Sequence, residues 1–288
     1  MSLTIAIPSY DRRASVVALV DSVLPQLNEG DELLVVDDGS RDGTAEALSG
    51  HERVRLVVHE ENLGLVQSWN DCLNLAAKPW VCIVHDDDTL EPGALAALRR
   101  ACRIPEGPAV VAHGAEGTSL DAGFRYEYWE PGPYAVMNAP LVPSGAAVHR
   151  DVFDAVGGFD ERFSIGPDIE FFARACARFP LVTIRSPPII RTKFHESNHQ
   201  FVTWRRPEFF PQLRQIEDAV AAHAGPASPS VAHWADLRWK NHLLHVFRQA
   251  RRLDDRELIR KAGRELRHRR DIGLRLRLRA HVAALLGR

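Results

Sequence analysis

The chain has 288 residues, of which 45% are hydrophobic and 26% are charged, and its formal net charge is −2. This composition excludes a wholly disordered chain, because disorder requires few apolar residues or a high net charge. No apolar run approaches the ~18–20 residues that span a bilayer, and Arg12 and Arg13 interrupt the start before a signal-peptide core. We therefore expect a cytoplasmic globular protein.

Cysteine spacing and charge distribution restrict the protein further. The four cysteines are far apart, so reduced thiols are expected rather than disulfides or a zinc site. Residues 1–190 contain 15 Lys and Arg against 28 Asp and Glu, whereas residues 191–288 contain 21 against 10. The acidic first part would repel a polyanion, which argues against nucleic acid as a partner.

Strands and helices alternate over the first hundred residues. Apolar runs predict strands at 3–7, 32–36, 54–58 and 80–84. Helical spacing of apolar residues predicts helices at 15–27, at 44–48 with Thr44 as its cap, at 65–76, and from Pro92 to 102. This alternation predicts an α/β fold with an open, mostly parallel sheet and helices on both faces.

The pattern is less regular after residue 106. Residues 107–145 are rich in glycine, proline and aromatic residues, and a strand is expected at 146–149. A helix is expected at 171–179, with Asp168 and Glu170 at its start. Beyond residue 200 the sequence is basic and mainly helical. We therefore divide the chain into a domain at 1–200 and a helical extension at 201–288.

Polar clusters follow three of the predicted strands, at residues 8–11, 37–40 and 86–88. In parallel α/β sheets the ligand lies beyond the carboxyl ends of the strands, so these clusters should form one crevice. Asp38 could accept hydrogen bonds from a base or ribose, and Tyr10 could stack on that base. A simple Asp-Gly turn and packing of Tyr10 at the sheet edge are the alternatives.

Three consecutive aspartates suggest a divalent cation. Asp86 and Asp88 are two positions apart on an extended segment, so they should point to the same side and can share a task. Mg²⁺ and Mn²⁺ are held by one or two carboxylates together with substrate phosphates. A solvated acidic loop is an equally good interpretation of the triplet alone.

Several motifs occur together in a fixed order: 5-IAIPSYDR-12, 35-VVDDGSRDGT-44, Asn62-Leu-Gly64 with Asn70, 84-VHDDD-88, and 157-GGFDERF-163 followed by 168-DIEFFAR-174. Together they resemble the family 2 glycosyltransferases, which have the GT-A fold. The resemblance covers about residues 3–200. It implies inverting, single-sugar transfer from a nucleoside diphosphate-sugar, with a UDP-sugar expected, to a glycan, lipid-linked or small-molecule acceptor.

The resemblance also implies roles for individual residues. It places the nucleotide against Pro8, Tyr10, Asp38, Asn62, Asp86 and Asp87. It places a Mn²⁺ or Mg²⁺ ion at Asp88, with His195 as a looser match, and the catalytic base at Asp168. Asp168 could instead be only a helix-capping carboxylate.

One departure from the family pattern keeps other functions open. Pro167 stands where the family has a carboxylate before its base, so Glu170 is held as a reserve base. The same departure permits a nucleotide-sugar-binding protein without catalysis. A sugar nucleotidyltransferase is disfavoured, because residues 8–13 contain no glycine for a phosphate loop.

The end of the chain contains a basic amphipathic pattern. Leucines and a valine in 274–286 share one helical stripe that is flanked by arginines. Such a helix could lie on the inner, anionic face of a membrane, or it could pack its stripe on the core. Both interpretations stay open.

Overall fold

The structure is a computed structural model that describes residues 1–113, 123–139, 143–186, 189–192, 203–224 and 229–267. The chain divides into two compact units, one of Met1–Lys193 with His223–Gly225 and one of Phe194–Ala222 with Pro226–Arg288. The leucine and arginine stripe at 274–286 lies outside the described residues. No described helix has the length and apolar character that crossing a membrane requires.

The first unit is built on an eight-stranded mixed sheet with the order β3–β2–β1–β4–β8–β6–β9–β7. Strands β1 to β4, β6 and β9 run in one direction, and β8 and β7 are antiparallel to their neighbours. A separate antiparallel pair joins β5 to β10. The strands are β1 (Leu3–Ser9), β2 (Glu32–Asp37), β3 (Val54–Val58), β4 (Trp80–Ile83), β5 (Asp88–Leu90), β6 (Val110–His113), β7 (Arg125–Trp129), β8 (Ala146–His149), β9 (Leu181–Ser186) and β10 (Ile190–Thr192).

Seven α-helices lie among these strands in the described part of the first unit. They are α1 (Arg13–Val23), α2 (Thr44–Leu48), α3 (Leu65–Leu75), α4 (Ala94–Ala101), α5 (Pro133–Met137), α6 (Arg150–Val156) and α7 (Pro167–Arg178). The second unit contains α8 (Phe209–His223), which ends at the boundary of the units, α9 (Pro229–Arg252) and α10 (Arg256–Arg267). Within that unit, the buried Glu217 accepts a hydrogen bond from Arg238, and its Oε1 lies 2.8 Å from His242 Nδ1.

The central strands are covered on both faces. All seven residues of β1 are buried. Leu3, Ile5 and Ile7 share an apolar cluster with residues of α1 and α4, whereas α3 contacts β1 and β2. Burial on both faces explains why these strands are continuous apolar runs rather than alternating patterns. The predicted mostly parallel α/β sheet is confirmed.

Local differences from the predicted elements have physical causes. Helix α1 ends at Val23, because Pro25 belongs to a separate 3₁₀ turn, Leu24–Gln26. Thr44 is the first residue of α2 and not its cap; Gly43 takes that position, and the Thr44 hydroxyl donates to Asp42 instead. The region 107–145, which we expected to be irregular, contains β6, β7 and α5.

Candidate active site

The end of β2 forms a rigid turn around the carboxylate of Asp38. This side chain is buried, and it accepts hydrogen bonds from the backbone N–H groups of Leu63 at 2.8 Å and Gly64 at 2.9 Å. The Nδ1 atom of His59 lies 2.8 Å from the same carboxylate. Asp38 therefore fixes the loop that leads into α3.

The glycine after Asp38 is required by this loop. Gly39 has φ of +74°, and a Cβ atom there would lie 2.9 Å from the backbone carbon of Glu61. A side chain would meet backbone that cannot move aside, and the left-handed conformation itself favours glycine. The loop carrying Asn62 is thus packed directly against the Asp38 turn, and Asn62 itself is exposed.

The end of β1 meets both other clusters. Pro8 is buried beside Val36, and the next residue, Ser9, donates a hydrogen bond to Asp86 at 3.0 Å. The backbone N–H of Asp11 donates to the Ser40 hydroxyl at 2.8 Å. The three strand ends therefore meet in one crevice. Tyr10 is 44% exposed there, so its ring is available for stacking.

The aspartates that follow β4 do not share one environment. Asp86 faces Ser9 and lies 3.8 Å from Arg12, while Asp87 pairs with Arg12 at 3.0 Å. Burial raises the pKa of Asp86 to about 7, although Arg12 and Ser9 act in the opposite direction. Arg12 thus supplies the positive charge that holds these two carboxylates together.

A metal-ligand group forms around Asp88. A ring nitrogen of His85 and one carboxylate oxygen each of Asp87 and Asp88 lie within 4.8 Å of one another. Asp88 is buried, and its Oδ2 accepts a hydrogen bond from Ser144. Its Oδ1 and the Nε2 of His85 are buried with no hydrogen-bond partner in the described part of the chain. Such atoms are costly to bury, so this donor set fits a divalent cation.

This grouping differs from the expected pairing of Asp86 with Asp88. The segment turns after β4, with the backbone N–H of Asp88 donating to the His85 carbonyl at 3.1 Å. The chain is therefore not extended across the triplet, and the alternation on which the expectation depended does not apply. His85 and Asp87 lie beside Asp88 instead.

The imidazole of His85 is held in place from two sides. Its ring stacks on Trp69, with centroids 5.6 Å apart and an interplanar angle of 4°. Its backbone N–H donates to the Ser144 hydroxyl at 3.0 Å. Burial lowers the pKa of His85, although Asp88 and Asp87 act in the opposite direction. The ring is therefore neutral at neutral pH and offers a lone pair.

Aromatic contacts connect this group to α7. Trp69 packs against Phe159 at 5.1 Å, and Phe159 packs against Phe171 of α7 at 4.5 Å. Asn70 exchanges two hydrogen bonds with the backbone of Phe159, at 2.8 and 3.0 Å. A Cβ atom on Gly158 would lie 2.4 Å from Asn70 Oδ1, so only glycine permits this contact.

The two acidic residues of α7 have different surroundings. Asp168 is 8% exposed in the first turn of α7. Glu170 accepts two hydrogen bonds from Arg174, both at 2.8 Å, and Arg174 also donates to the Gly158 carbonyl at 2.9 Å. Burial alone would raise the pKa of Glu170, but Arg174, together with His223 whose Nε2 lies 3.2 Å from Glu170 Oε1, outweighs burial and lowers it to about 2.

The sequence predicted which strand ends meet here but not the roles of three side chains. His85, His59 and Arg12 each contact a predicted site residue. The position of His85 directly before the aspartates was the available signal for that residue. The other two depend on contacts between distant parts of the chain. His195 lies outside the described residues.

Other proteins are similar in sequence to the part of the chain that contains this site. The family model described as glycosyl transferase family 2 matches residues 4–135. An uncharacterized glycosyltransferase of Haemophilus influenzae is 24% identical over 181 residues, 60% of this chain and 61% of the relative. The putative teichuronic acid biosynthesis glycosyltransferase TuaG of Bacillus subtilis is 32% identical over 129 residues, 41% of this chain and 50% of the relative. The matches thus span about half to three fifths of these relatives.

Solved structures share the fold. The mannosyltransferase PcManGT from Pyrobaculum calidifontis, in complex with GDP-Man and Mn²⁺, has a TM-score of 0.60 and 19% identity over 98% of this chain and 79% of that chain. Residues 1–349 of S. aureus TarS, in complex with UDP-GlcNAc, have a TM-score of 0.56 and 18% identity over 82% of this chain and 70% of that chain. These similarities establish the GT-A fold. Together with the ordered motifs, the family model indicates that residues 4–135 form a glycosyl transferase family 2 region.

Proposed function

We propose that this protein transfers one sugar from a nucleoside diphosphate-sugar to an acceptor hydroxyl, with inversion and with the help of a divalent cation. The observation that carries the proposal is the crevice at the ends of β1, β2 and β4. There a rigid turn around Asp38 lies beside a metal-ligand group whose buried Asp88 Oδ1 has no partner in the described part of the chain.

The donor set supports binding of the cation. An unsatisfied buried acceptor costs about 1–3 kcal/mol, and this cost is removed when a ligand completes the site. His85, Asp87 and Asp88 would hold the ion, with His195 as the proposed further ligand. When bound, a divalent cation would stabilise the negative charge that develops on the departing diphosphate.

The nucleoside would occupy the crevice beside the Asp38 turn. The exposed ring of Tyr10 is available to stack on a base, and Pro8, Asn62 and Asp86 would form the remaining contacts. The Asp38 carboxylate keeps the surrounding loop in one geometry, so the site is preorganised and little ordering cost is added on binding. UDP-sugars are the donors we propose first, because TarS was solved with UDP-GlcNAc.

Asp168 is the residue we propose as the base. An inverting transfer needs a carboxylate that takes the acceptor proton as the hydroxyl attacks. Glu170 is poorly suited, because Arg174 occupies both of its oxygens and its pKa of about 2 makes it a weak base. Asp168 begins the same helix, which packs through Phe171 and Phe159 on the Trp69 that stacks on His85.

The biological setting that we propose is synthesis of a surface glycan or glycoconjugate. Relatives of this chain include one named for teichuronic acid biosynthesis. The acceptor would be a glycan, a lipid-linked sugar or a small molecule. We further propose that the protein works in the cytoplasm and that the basic 274–286 segment contacts the inner membrane face. The division into a 1–200 domain and a 201–288 extension is likewise a proposal.

A donor screen tests the function. Melting temperature is measured with UDP- and GDP-sugars, with and without Mn²⁺, because a ligand that binds only the folded state raises the apparent stability. Products of the stabilising donor with candidate acceptors are then analysed by NMR. We expect Mn²⁺-dependent stabilisation by a nucleotide-sugar and a product of inverted anomeric configuration.

Three outcomes would contradict the proposal in different ways. A retained anomeric configuration would exclude the single displacement. Full transfer activity in excess chelator would show that no divalent cation takes part in the reaction. Tight binding of a donor with neither transfer nor hydrolysis would favour the binding protein without catalysis that Pro167 leaves open.

A further inference from the structure

The metal-ligand group of His85, Asp87 and Asp88 contains one nitrogen donor among its oxygens. Hard cations such as Mg²⁺ prefer sites made of oxygen atoms only, and they give up their water molecules reluctantly. Imidazole nitrogen instead suits first-row transition ions such as Zn²⁺ and Fe²⁺. Mn²⁺ is the weakest binder of that series, but as a softer ion than Mg²⁺ it accepts an imidazole ligand more readily. The chemistry of the group therefore bears on which ion it selects.

The ring of His85 is built into the site rather than lying on its surface. Trp69 covers one face of the imidazole in a nearly parallel stack. The Ser144 hydroxyl accepts the His85 backbone N–H at 3.0 Å and donates to Asp88 Oδ2. One hydroxyl group thus fixes the relative positions of the nitrogen ligand and a carboxylate ligand, as the outer shell of a metal site commonly does.

The buried ring nitrogen of His85 forms no hydrogen bond within the described part of the chain. His85 Nε2 has no hydrogen-bond partner there, and neither has Asp88 Oδ1. The nearby cation, Arg12, forms its salt bridges with Asp86 and Asp87. A histidine that served only to pack the crevice would be expected to satisfy its buried polar atom within the protein.

We propose that His85 is a metal ligand that sets the specificity of the site, so that it selects a transition-metal ion over Mg²⁺. This inference rests on the proposed function, because the cation is part of it. A carboxylate at position 85 would remove the nitrogen donor and add a hard oxygen. His85→Asp should therefore shift the selectivity toward Mg²⁺ without removing the site.

Electron paramagnetic resonance tests the inference directly. Free Mn²⁺ is measured while Mg²⁺ is added in competition, for the wild type, His85→Asp and a control, His51→Asp. His51 lies in the turn after α2, so the control adds the same charge without altering the metal-ligand group. We expect His85→Asp to reduce the Mn²⁺-over-Mg²⁺ preference about tenfold or more, within the range for altered metal-site shells. His51→Asp should leave the preference unchanged.

Spin-echo modulation of the bound Mn²⁺ gives a second readout. A directly bound imidazole produces ¹⁴N modulation. In a His195→Gln background, where His85 is the one imidazole proposed as a ligand, we expect this modulation when His85 is present and not when His85→Gln is added. Wild-type Mn²⁺ without this modulation, or a preference that is the same in His85→Asp and the wild type, would overturn the inference. So would a complete failure to bind Mn²⁺.

These results are distinguishable from failure of the proposed function. Nitrogen modulation that depends on His85, without sugar transfer, would support the ligand role of His85 and contradict the transferase proposal. Sugar transfer that is equally fast with Mg²⁺ and Mn²⁺, without nitrogen modulation, would contradict the selectivity and leave the transferase proposal standing.

Discussion

Asp38 and Asp88 both follow central strands and both are buried, but their carboxylates are used in opposite ways. Asp38 is surrounded by the N–H groups of Leu63 and Gly64 and by His59. Asp88 receives one hydrogen bond, from Ser144, and its other oxygen has no partner in the described residues. The first carboxylate is satisfied by the protein, while the second is left to be satisfied by a ligand.

The difference separates residues that build the site from residues that act in it. A carboxylate saturated by backbone donors holds a loop in one geometry, and replacing it disturbs the fold. An unsatisfied buried oxygen lowers the stability of the free protein and is retained where it binds something. Glu170 belongs with Asp38 in this comparison, because Arg174 occupies both of its oxygens.

The largest effect on sugar transfer is expected at Asp168, the proposed base. Asp168→Asn should lower the transfer rate by about 10²–10⁴-fold, the usual value of general base catalysis, while donor and metal binding persist. Glu170→Gln should lower the melting temperature instead, because it removes the charge that pairs with the partly buried Arg174. Single-turnover rates and calorimetry on both variants measure these effects. A large rate loss at Glu170 with little at Asp168 would reverse the assignment.

The next largest effect on sugar transfer is expected at Asp88, whose Oδ1 has no hydrogen-bond partner in the described residues. Asp88→Asn should reduce transfer by about 10²–10³-fold, the scale for losing a group that stabilises developing charge. The shape of the side chain is retained, so circular dichroism and the melting temperature should change little. Initial rates over a range of Mn²⁺ concentrations measure the loss. Wild-type rates in this variant would remove Asp88 from the mechanism.

A smaller effect is expected at Ser144, which positions its neighbours. Ser144→Ala should weaken Mn²⁺ binding about 10–100-fold, as is typical when an outer-shell partner of a ligand is removed. Ser144→Thr keeps the hydroxyl and should recover most of this affinity. Paramagnetic resonance titration of both variants gives the values. Equal Mn²⁺ affinity in Ser144→Ala and the wild type would show that the hydroxyl does not position Asp88.

Acid stability gives an effect on the fold rather than on the reaction. The pKa of Glu170 is lowered to about 2 from its ordinary value of 4.5. Its ionised form therefore stabilises the fold above pH 4.5, and this contribution, about 3 kcal/mol, is lost as the pH falls from 4.5 to 2. Denaturant unfolding between pH 7 and pH 3 should show a smaller decrease in Glu170→Gln than in the wild type. If the free energy of unfolding falls equally with pH in both proteins, the stabilising pair of Glu170 with Arg174 is contradicted.

The sheet could be predicted from the sequence because its strands are buried on both faces. The β3 and β8 strands occupy the predicted residues, Val54–Val58 and Ala146–His149. The β7 strand, Arg125–Trp129, was missed, because it lies at the sheet edge and alternates charged with aromatic residues. The strand β6 is only four residues long and follows a stretch rich in glycine and proline.

The sequence predicted a site residue only where that residue directly follows a strand of the sheet. Asp38 and Asp88 follow apolar strands, so their place at the crevice follows from the topology. Their different hydrogen bonding does not, because His59 and Ser144 come from distant segments. The chain turns between Asp86 and Asp88, so the extended segment from which their shared task was predicted is not present.

The contrast between the two carboxylates can be tested in one paired measurement. The free energy of unfolding and the Mn²⁺ affinity are determined for Asp38→Asn and Asp88→Asn. Asp38→Asn places an amide N–H₂ against backbone donors, so it should cost about 1–3 kcal/mol of stability and leave Mn²⁺ affinity nearly unchanged. Asp88→Asn should retain stability and lose Mn²⁺ affinity. If Asp38→Asn instead loses Mn²⁺ affinity, or Asp88→Asn binds Mn²⁺ as tightly as the wild type, the account of this site is contradicted.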